Sequence, residues 1–283
     1  MKLCRFNTDR LGVVLADQIA DVSEALDVLP DYRWVPPQGD PVILHLEEIL
    51  YRIKLLLPKA PRHPIHHLTL FSPVAAPTKI IGAPVNYHAH LHEAEQDHQI
   101  NRGNVVHKID EIGCFLKACS ALTGPESVVR IPFPEERVDH EGEIAVIIGK
   151  AASKVTAGQA MEFIAGYSLA LDMTVRGTQH RSMRKSCDGF AVLGPWLVTA
   201  DDIADPTCIA FELTVNGEVR QRADTSLLIR NIAQLIEMCS AFYTLLPGDV
   251  IMTGTPAGVG PVVPGDRIEV SSPTLGSLGI TMA

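Results

Sequence analysis

The stretch DHEGEIAVIIG, residues 139–149, joins alternating carboxylates to an uninterrupted apolar run. Successive side chains of a β-strand point to opposite faces, so Asp139, Glu141 and Glu143 should leave the same face of an extended chain. The segment IAVIIG that follows has the composition of a strand packed in an apolar core. The stretch therefore predicts a buried strand that carries like charges at its beginning.

The composition describes a chain that can bury a large core and that carries a net negative charge. Of its 283 residues, 46% are hydrophobic and 20% are charged, and the net charge is −9. No cluster of Lys and Arg is present, which argues against a nucleic-acid partner. No apolar run approaches the roughly 20 residues that span a bilayer, which argues against a membrane partner.

The cysteine spacing and the N-terminal residues predict in which cellular compartment the protein is found. Six cysteines lie at positions 4, 114, 119, 187, 208 and 239, with neither a CxxC pair nor a zinc-like spacing. The first residues, MKLCRFNTDR, have no apolar signal-peptide core. We therefore expect a cytoplasmic protein with free thiols.

The pattern of the chain divides it into a small N-terminal α/β domain, residues 1–70, and a larger domain, residues 71–283. In the first part, the strand-like runs MKLCRF and GVVLAD precede ILHLEEILYRIKLLL (43–57), whose apolar residues recur at helical spacing. Prolines crowd residues 58–78, and a helix interior does not tolerate them. We interpret that segment as the connection between the two parts.

The larger part has many strand signals, few helical ones and no regular alternation of the two. It predicts an α+β fold that is mostly β. Asn-Gly within VNGEVRQ (215–221) predicts a hairpin. Helical patterns occupy TAGQAMEFIA (156–165) and TSLLIRNIAQLIEMCSAFYTL (225–245), and Thr225 or Ser226 could cap the second helix.

The paired glutamates raise the question of a metal ion. Two residues apart on a strand, Glu141 and Glu143 have Cα atoms about 6.5–7 Å apart. Ionised carboxylates that converge there repel each other unless a cation lies between them, and Mg²⁺, Mn²⁺ and Ca²⁺ prefer oxygen ligands. Asp172, the first charged residue after a mostly apolar run, could supply a third ligand. The pattern alone leaves open both a metal site and a solvated strand edge.

Several segments, taken together and in order, match a known family. They are NYHAH with Glu93, FLK (115–117), DHEGEIAVIIGK (139–150), GYSLALDMTVRGTQ (166–179), KSCDGFAVLGPWL (185–197), LLIRNIAQLIEMCSAFYTLLPGDVIMTGTPAGVG (227–260) and GDRIEV (265–270). Over roughly residues 78–283, the chain resembles the fumarylacetoacetate hydrolase superfamily. The resemblance implies a mixed β-sandwich roll, a homodimer and a divalent ion, Mg²⁺ or Mn²⁺, with Ca²⁺ as a third option.

The resemblance also implies roles for individual residues. The metal ligands would be Glu141, Glu143 and Asp172, with Asp139 beyond them. In the family pattern NYxxHxxE, which matches Asn86, Tyr87, His90 and Glu93, a His–Glu pair on a closing loop activates water. His92 is an alternative base that misses the family spacing. Lys185 would assist in the active site, and the substrate would be bound by Tyr87, Arg176, Gln179, Gly254 and Thr255.

These roles describe a metal-dependent hydrolase that cleaves the C–C bond of a 2,4-diketo acid. The substrate would be an acylpyruvate such as fumarylpyruvate or maleylpyruvate, and residues 88–112 would close over it. Other members of the superfamily act as oxaloacetate decarboxylases, or as isomerases and hydratases of aromatic meta-cleavage pathways. These activities, and a binding protein without catalysis, are the alternatives.

Overall fold

A computed structural model describes residues 1–32, 38–101, 103 and 105–283. The strands in these ranges are β1 (Lys2–Phe6), β2 (Arg10–Leu15), β3 (Gln18–Asp21), β4 (Arg62–Pro64), β5 (Leu70–Phe71), β6 (Ile80–Gly82), β7 (Phe115–Lys117), β8 (Leu122–Thr123), β9 (Val128–Val129), β10 (Val138–His140), β11 (Gly142–Ile148), β12 (Ile164–Asp172), β13 (Thr174–Val175), β14 (Ala191–Thr199), β15 (Ala210–Val215), β16 (Glu218–Asp224), β17 (Val250–Met252), β18 (Gly260–Val262), β19 (Arg267–Ser272) and β20 (Gly276–Met282).

The helices are fewer and mostly short. The α-helices are α1 (Pro41–Leu44), α2 (Leu46–Leu56), α3 (His88–Gln96), α4 (His98–Asn101), α5 (Ile109–Ile112), α6 (Arg181–Arg184) and α7 (Ile232–Phe242). Among the described residues, no helix is long and apolar enough to cross a membrane.

The strands form three sheets. The large sheet has the order β4-β3-β2-β1-β14-β12-β11-β17-β6-β7, with β5 paired to β1 and β8 paired to β14. A second sheet has the order β16-β15-β19-β20-β9, and a small third sheet has the order β13-β10-β18. The predicted α+β class with a predominance of strand is confirmed.

Strand β11 lies in the middle of the large sheet and is buried on both faces. Ile144 and Val146 belong to an apolar cluster that also contains side chains of the five-stranded sheet and of α7. Ala145 and Ile147 belong to a second cluster, which includes Ile49 of α2. This two-sided burial explains why IAVIIG is apolar throughout instead of alternating.

The N-terminal strands extend the large sheet, because β1 pairs with β14 and places Leu3 opposite Leu197. Helix α1 is capped by the buried Asp40, whose Oδ1 accepts hydrogen bonds from the N–H groups of Val42 and Ile43. Its Oδ2 accepts from the N–H groups of Ala75 and Ala76, at 2.7 and 3.0 Å. The Asp40 carboxylate thus links α1 to the first residues of the larger part of the chain, residues 71–283. The domain boundary at residue 70 stays a prediction.

Two local predictions in the larger part need correction, and one is confirmed. The hairpin forms as predicted between β15 and β16, with Asn216 and Gly217 at positive φ. The helix predicted from residue 225 begins only at Ile232, because Asn231 and Gln234 form a reciprocal capping box there. Where a helix was predicted over residues 156–165, the structure has a short 3₁₀ turn, Ala160–Phe163, since β12 already begins at Ile164.

Candidate active site

Three buried carboxylates meet where β11 and β12 run side by side. Glu143 pairs with Ala170, and Asp172 ends β12 with its N–H donating to the Glu141 carbonyl at 2.9 Å. One oxygen from each of Glu141, Glu143 and Asp172 lies within 4.8 Å of the others. Each of these residues is at most 5% exposed. Three hard oxygen donors at this spacing fit a divalent cation such as Mg²⁺ or Mn²⁺.

Asp139 lies apart from these three carboxylates, although an ideal strand would point it the same way. Its strand, β10, belongs to the three-stranded sheet, and the regular strand is interrupted at Glu141. Its two oxygens accept hydrogen bonds from Arg137 Nε at 2.6 Å and Arg176 Nε at 2.7 Å. Asp139 therefore serves to hold these arginines.

Basic side chains balance the charge of the cluster. Lys185 Nζ donates to Glu141 Oε2 at 2.5 Å and to Asp172 Oδ2 at 2.7 Å, and Arg176 Nη2 donates to Glu141 Oε1 at 2.7 Å. Burial opposes ionisation of Glu141, but the charges of Lys185 and Arg176 outweigh it and lower the pKa of this carboxyl. Glu141 is therefore held as a carboxylate.

Glu143 has the opposite environment. Burial, followed by the negative charges of Asp172 and Glu141, raises its pKa well above the ordinary value. Its hydrogen-bond donor is the N–H of Gly254, at 2.7 Å from Oε2. A divalent cation among the three carboxylates would favour ionised Glu143, so the donor set fits such an ion electrostatically as well as geometrically.

Lys117 is a component of the site for which the sequence interpretation gave no role. Its ammonium group is buried and hydrogen-bonds to Asp172 Oδ1. Burial lowers the pKa of Lys117, and the attraction of Asp172 opposes that shift. The signal was available in FLK: Phe115 and Lys117 are buried on one face of β7, while Leu116 points to the other.

The predicted base lies on α3, beside the acidic cluster. His90 is buried, and its Nδ1 lies 2.8 Å from Glu93 Oε2 across one helical turn. The other oxygen of Glu93 accepts a hydrogen bond from the Gly258 N–H at 2.8 Å. His92, the alternative base, is exposed on the same helix and pairs with Gln96. In the proposed lid, residues 88–112, positions 102 and 104 lie outside the described residues.

Asn86 fixes the start of this segment against two loops. Its Nδ2 donates to the carbonyls of Arg230 and Thr253, both at 2.9 Å, and its Oδ1 accepts from the Arg230 N–H. Gly254 packs directly against Asn86 and has φ +103°, and a Cβ there would lie 2.8 Å from the Asn86 Cβ. Only glycine meets both demands without strain.

The acidic cluster opens onto a cavity of about 630 Å³, within the range of small-molecule sites. It is lined by Glu141, Glu143, Asp172, Lys185 and His90, together with the predicted substrate residues Arg176 and Thr255. Three other predicted substrate residues are not among the described residues that line it. Tyr87 is buried, Gln179 is exposed, and the Gly254 N–H is bonded to Glu143. The substrate-binding roles of all five residues stay predictions.

Comparisons with known proteins find similarity over most or all of the chain. Residues 79–283 match the family model described as the fumarylacetoacetate (FAA) hydrolase C-terminal domain. Maleylpyruvate hydrolase of Aquipseudomonas alcaligenes is 49% identical over 284 residues, covering 100% of this chain and 99% of that protein. The mitochondrial oxaloacetate tautomerase Fahd2a of Rattus norvegicus is 35% identical over 212 residues, 73% of this chain and 64% of that protein.

A crystal structure extends the similarity to three dimensions. Maleylpyruvate hydrolase of Sphingobium sp. SYK-6, in complex with manganese(II) and pyruvate, superposes with a TM-score of 0.84. It is 38% identical in sequence and covers 100% of this chain and 99% of its own. The fold predicted from the resemblance is confirmed by this likeness.

Proposed function

The chain belongs to the fumarylacetoacetate hydrolase family, and from this we propose that it is a divalent-metal-dependent hydrolase of acylpyruvates. The reaction adds water to a 2,4-diketo acid and yields pyruvate and a carboxylic acid. Maleylpyruvate and fumarylpyruvate are the proposed substrates. The full-length similarity to the two maleylpyruvate hydrolases supports this choice over the less similar tautomerase.

The observation that carries the proposal is that His90, which is paired with Glu93, lines the same cavity as the carboxylate cluster. Glu141, Glu143 and Asp172 would hold Mg²⁺ or Mn²⁺, which supplies Lewis-acid polarisation of a substrate oxygen when bound. Glu93 accepts the hydrogen bond of Nδ1–H and so leaves Nε2 of His90 to take a proton from water. That water attacks the C4 carbonyl, and the C3–C4 bond breaks.

The other residues of the cavity would stabilise the negative charge formed in the reaction and supply the final proton. The electron pair of the broken bond passes to the pyruvate fragment as an enolate, and C3 then receives a proton to give pyruvate. Lys185 carries its ammonium group at the wall of the same cavity and would stabilise this negative charge or supply the proton. Helix α3, tied to Gly258 through Glu93, would shield the reacting centre from bulk water.

A substrate panel tests the proposal against the other activities of the fold. Purified enzyme with Mg²⁺ or Mn²⁺ would be given maleylpyruvate, fumarylpyruvate and oxaloacetate, and the products identified by chromatography. We expect pyruvate with maleate or fumarate from the first two. Release of CO₂ from oxaloacetate as the only reaction would indicate a decarboxylase, and no turnover would indicate a binding protein.

We also propose a homodimer and a cytoplasmic location. The family resemblance supports the assembly, and the cysteines, free in the structure, are compatible with a reducing compartment. Light scattering at several concentrations tests the dimer, and cell fractionation tests the location. A monomer at assay concentration, or recovery outside the cytoplasm, would overturn the respective proposal.

A further inference from the structure

Arg181, the first residue of α6, lies on the wall of the cavity that contains the carboxylate cluster. Its guanidinium is half-buried, and its Cζ lies 5.7 Å from the centre of the Phe115 ring. An arginine that stacks on an aromatic face keeps the N–H groups at its edge available for a planar anion.

The other cations on this wall are already engaged. Arg176 and Lys185 bond to the buried carboxylates, and Arg184 donates to the backbone carbonyls of Val175 and Gln179 at 2.8 and 2.9 Å. The guanidinium of Arg181, in contrast, forms neither a hydrogen bond nor an ion pair with any residue of the described ranges. Its positive charge therefore has no carboxylate at ion-pair distance among the described residues, although the position is partly buried.

The electrostatic setting supports a ligand with negative charge. Burial lowers the pKa of Arg181, although Glu141 and Asp172 oppose this shift from a distance. Arginine nevertheless keeps its charge in proteins, so the cost of its partial burial is offset best when an anion binds it. The guanidinium lies beyond ion-pair distance of the cluster carboxylates, and so away from the atoms that would hold the metal ion.

We propose that Arg181 binds the second carboxylate of a dicarboxylic acylpyruvate and thereby selects such substrates over monocarboxylic ones. This rests on the proposed function, from which we place the pyruvate part of the substrate, with its first carboxylate and C2 oxygen, at the end of the cavity that holds the metal ligands and Lys185. The second carboxylate belongs to the acyl group, which is the part of the substrate that differs between acylpyruvates. Arg181 would therefore bind the part that determines substrate choice. A bidentate guanidinium–carboxylate pair supplies both charge and geometry for that discrimination.

The test compares two substrates and three variants. For each enzyme, kcat/KM is measured with maleylpyruvate, which has the second carboxylate, and with acetylpyruvate, which lacks it. We expect Arg181→Gln to lower the ratio of the two values by about 10- to 150-fold, the effect of losing a hydrogen-bonded charge. Arg181→Lys should recover part of the ratio. Arg222→Gln is the control, because it removes the same charge from an exposed residue paired with Glu212.

The outcomes separate this inference from the proposed function. If wild-type enzyme cleaves both substrates and Arg181→Gln leaves the ratio unchanged, or lowers both values equally, the role of Arg181 is wrong and the hydrolase stands. If wild-type enzyme cleaves neither substrate, the proposed function fails and this inference fails with it. Thermal unfolding midpoints confirm that the compared variants are folded.

Discussion

His90 Nδ1 lies 2.8 Å from Glu93 Oε2, and the second oxygen of Glu93 accepts a hydrogen bond from the Gly258 N–H at 2.8 Å. Glu93 thus connects the imidazole of α3 to the glycine-rich loop that follows β17. This connection fixes the orientation of the ring and couples the position of the helix to a loop of the substrate cavity. It also makes α3 the element whose placement determines whether the base can reach water.

Replacement of His90 by alanine should lower kcat for maleylpyruvate by about 100- to 10,000-fold, the usual contribution of a positioned general base. Mn²⁺ affinity should be nearly unchanged, because His90 is not among the clustered carboxylates. Stopped-flow measurement of substrate loss and titration calorimetry provide the two values. His92→Ala is the matched control on the same helix. A larger loss in His92→Ala than in His90→Ala would reverse the assignment of the base.

Replacement of Glu143 by glutamine should weaken Mn²⁺ binding by more than the roughly 10- to 100-fold that loss of an outer-shell partner costs. The amide keeps the shape of the side chain but removes a negative charge from the cluster. Asp139→Asn is the control, because both oxygens of Asp139 are held by arginines. Calorimetry on folded protein measures both variants. Equal losses, or a larger loss in Asp139→Asn, would contradict the proposed ligand set.

Replacement of Asp40 by alanine should destabilise the fold by about 3–5 kcal/mol, because four backbone N–H groups lose a charged acceptor. Urea unfolding followed by circular dichroism measures the change. Asp40→Asn keeps one acceptor oxygen and should lose less. If both variants have the free energy of unfolding of the wild type, the Asp40 carboxylate does not stabilise the link between α1 and residues 75–76.

Cys4 gives a prediction for stability at alkaline pH. Burial raises the pKa of its thiol to about 12, whereas an unfolded cysteine ionises near pH 8.5. The folded state therefore retains the proton more strongly. The stabilisation from the protonated thiol is complete below about pH 8.5 and is lost as the pH rises towards 12.

Over that interval, the free energy of unfolding of the wild type should fall more steeply than that of Cys4→Ala, by about 1.4 kcal/mol per pH unit. Urea titrations between pH 8 and pH 11, with a reducing agent present, measure the two slopes. Cys208→Ala, which alters an exposed thiol, should keep the wild-type slope. Equal slopes for wild type and Cys4→Ala would show that Cys4 ionises normally in the folded protein.

The features that follow from the local periodicity of the chain were predicted from the sequence. The alternation of Glu141 and Glu143 placed both on one face, and the apolar run after them predicted a buried strand. The same periodicity did not predict the position of Asp139. The sheet to which a residue belongs depends on strands that are distant in sequence, and β10 pairs with β13 and β18. The start of α7 at Ile232, directly after the capping residue Asn231, depended on a choice between competing caps, which composition alone does not decide.

Other parts of the site required contacts across long sequence separations. Lys117 reaches Asp172 only because the fold brings β7 and β12 together around the cavity. The engagement of the Gly254 N–H by Glu143 also spans over a hundred residues. Neither contact is visible in a sequence window, although the family resemblance had identified the segments that contain these residues.

Product analysis of maleylpyruvate turnover, with and without metal, is the decisive test of metal-dependent hydrolysis by this enzyme. Enzyme freed of metal by EDTA and then given Mg²⁺ would be followed by proton NMR. We expect equal amounts of maleate and pyruvate, formed only after Mg²⁺ is added. Consumption of maleylpyruvate without maleate, or the same rate in EDTA as in Mg²⁺, would contradict a metal-dependent hydrolase.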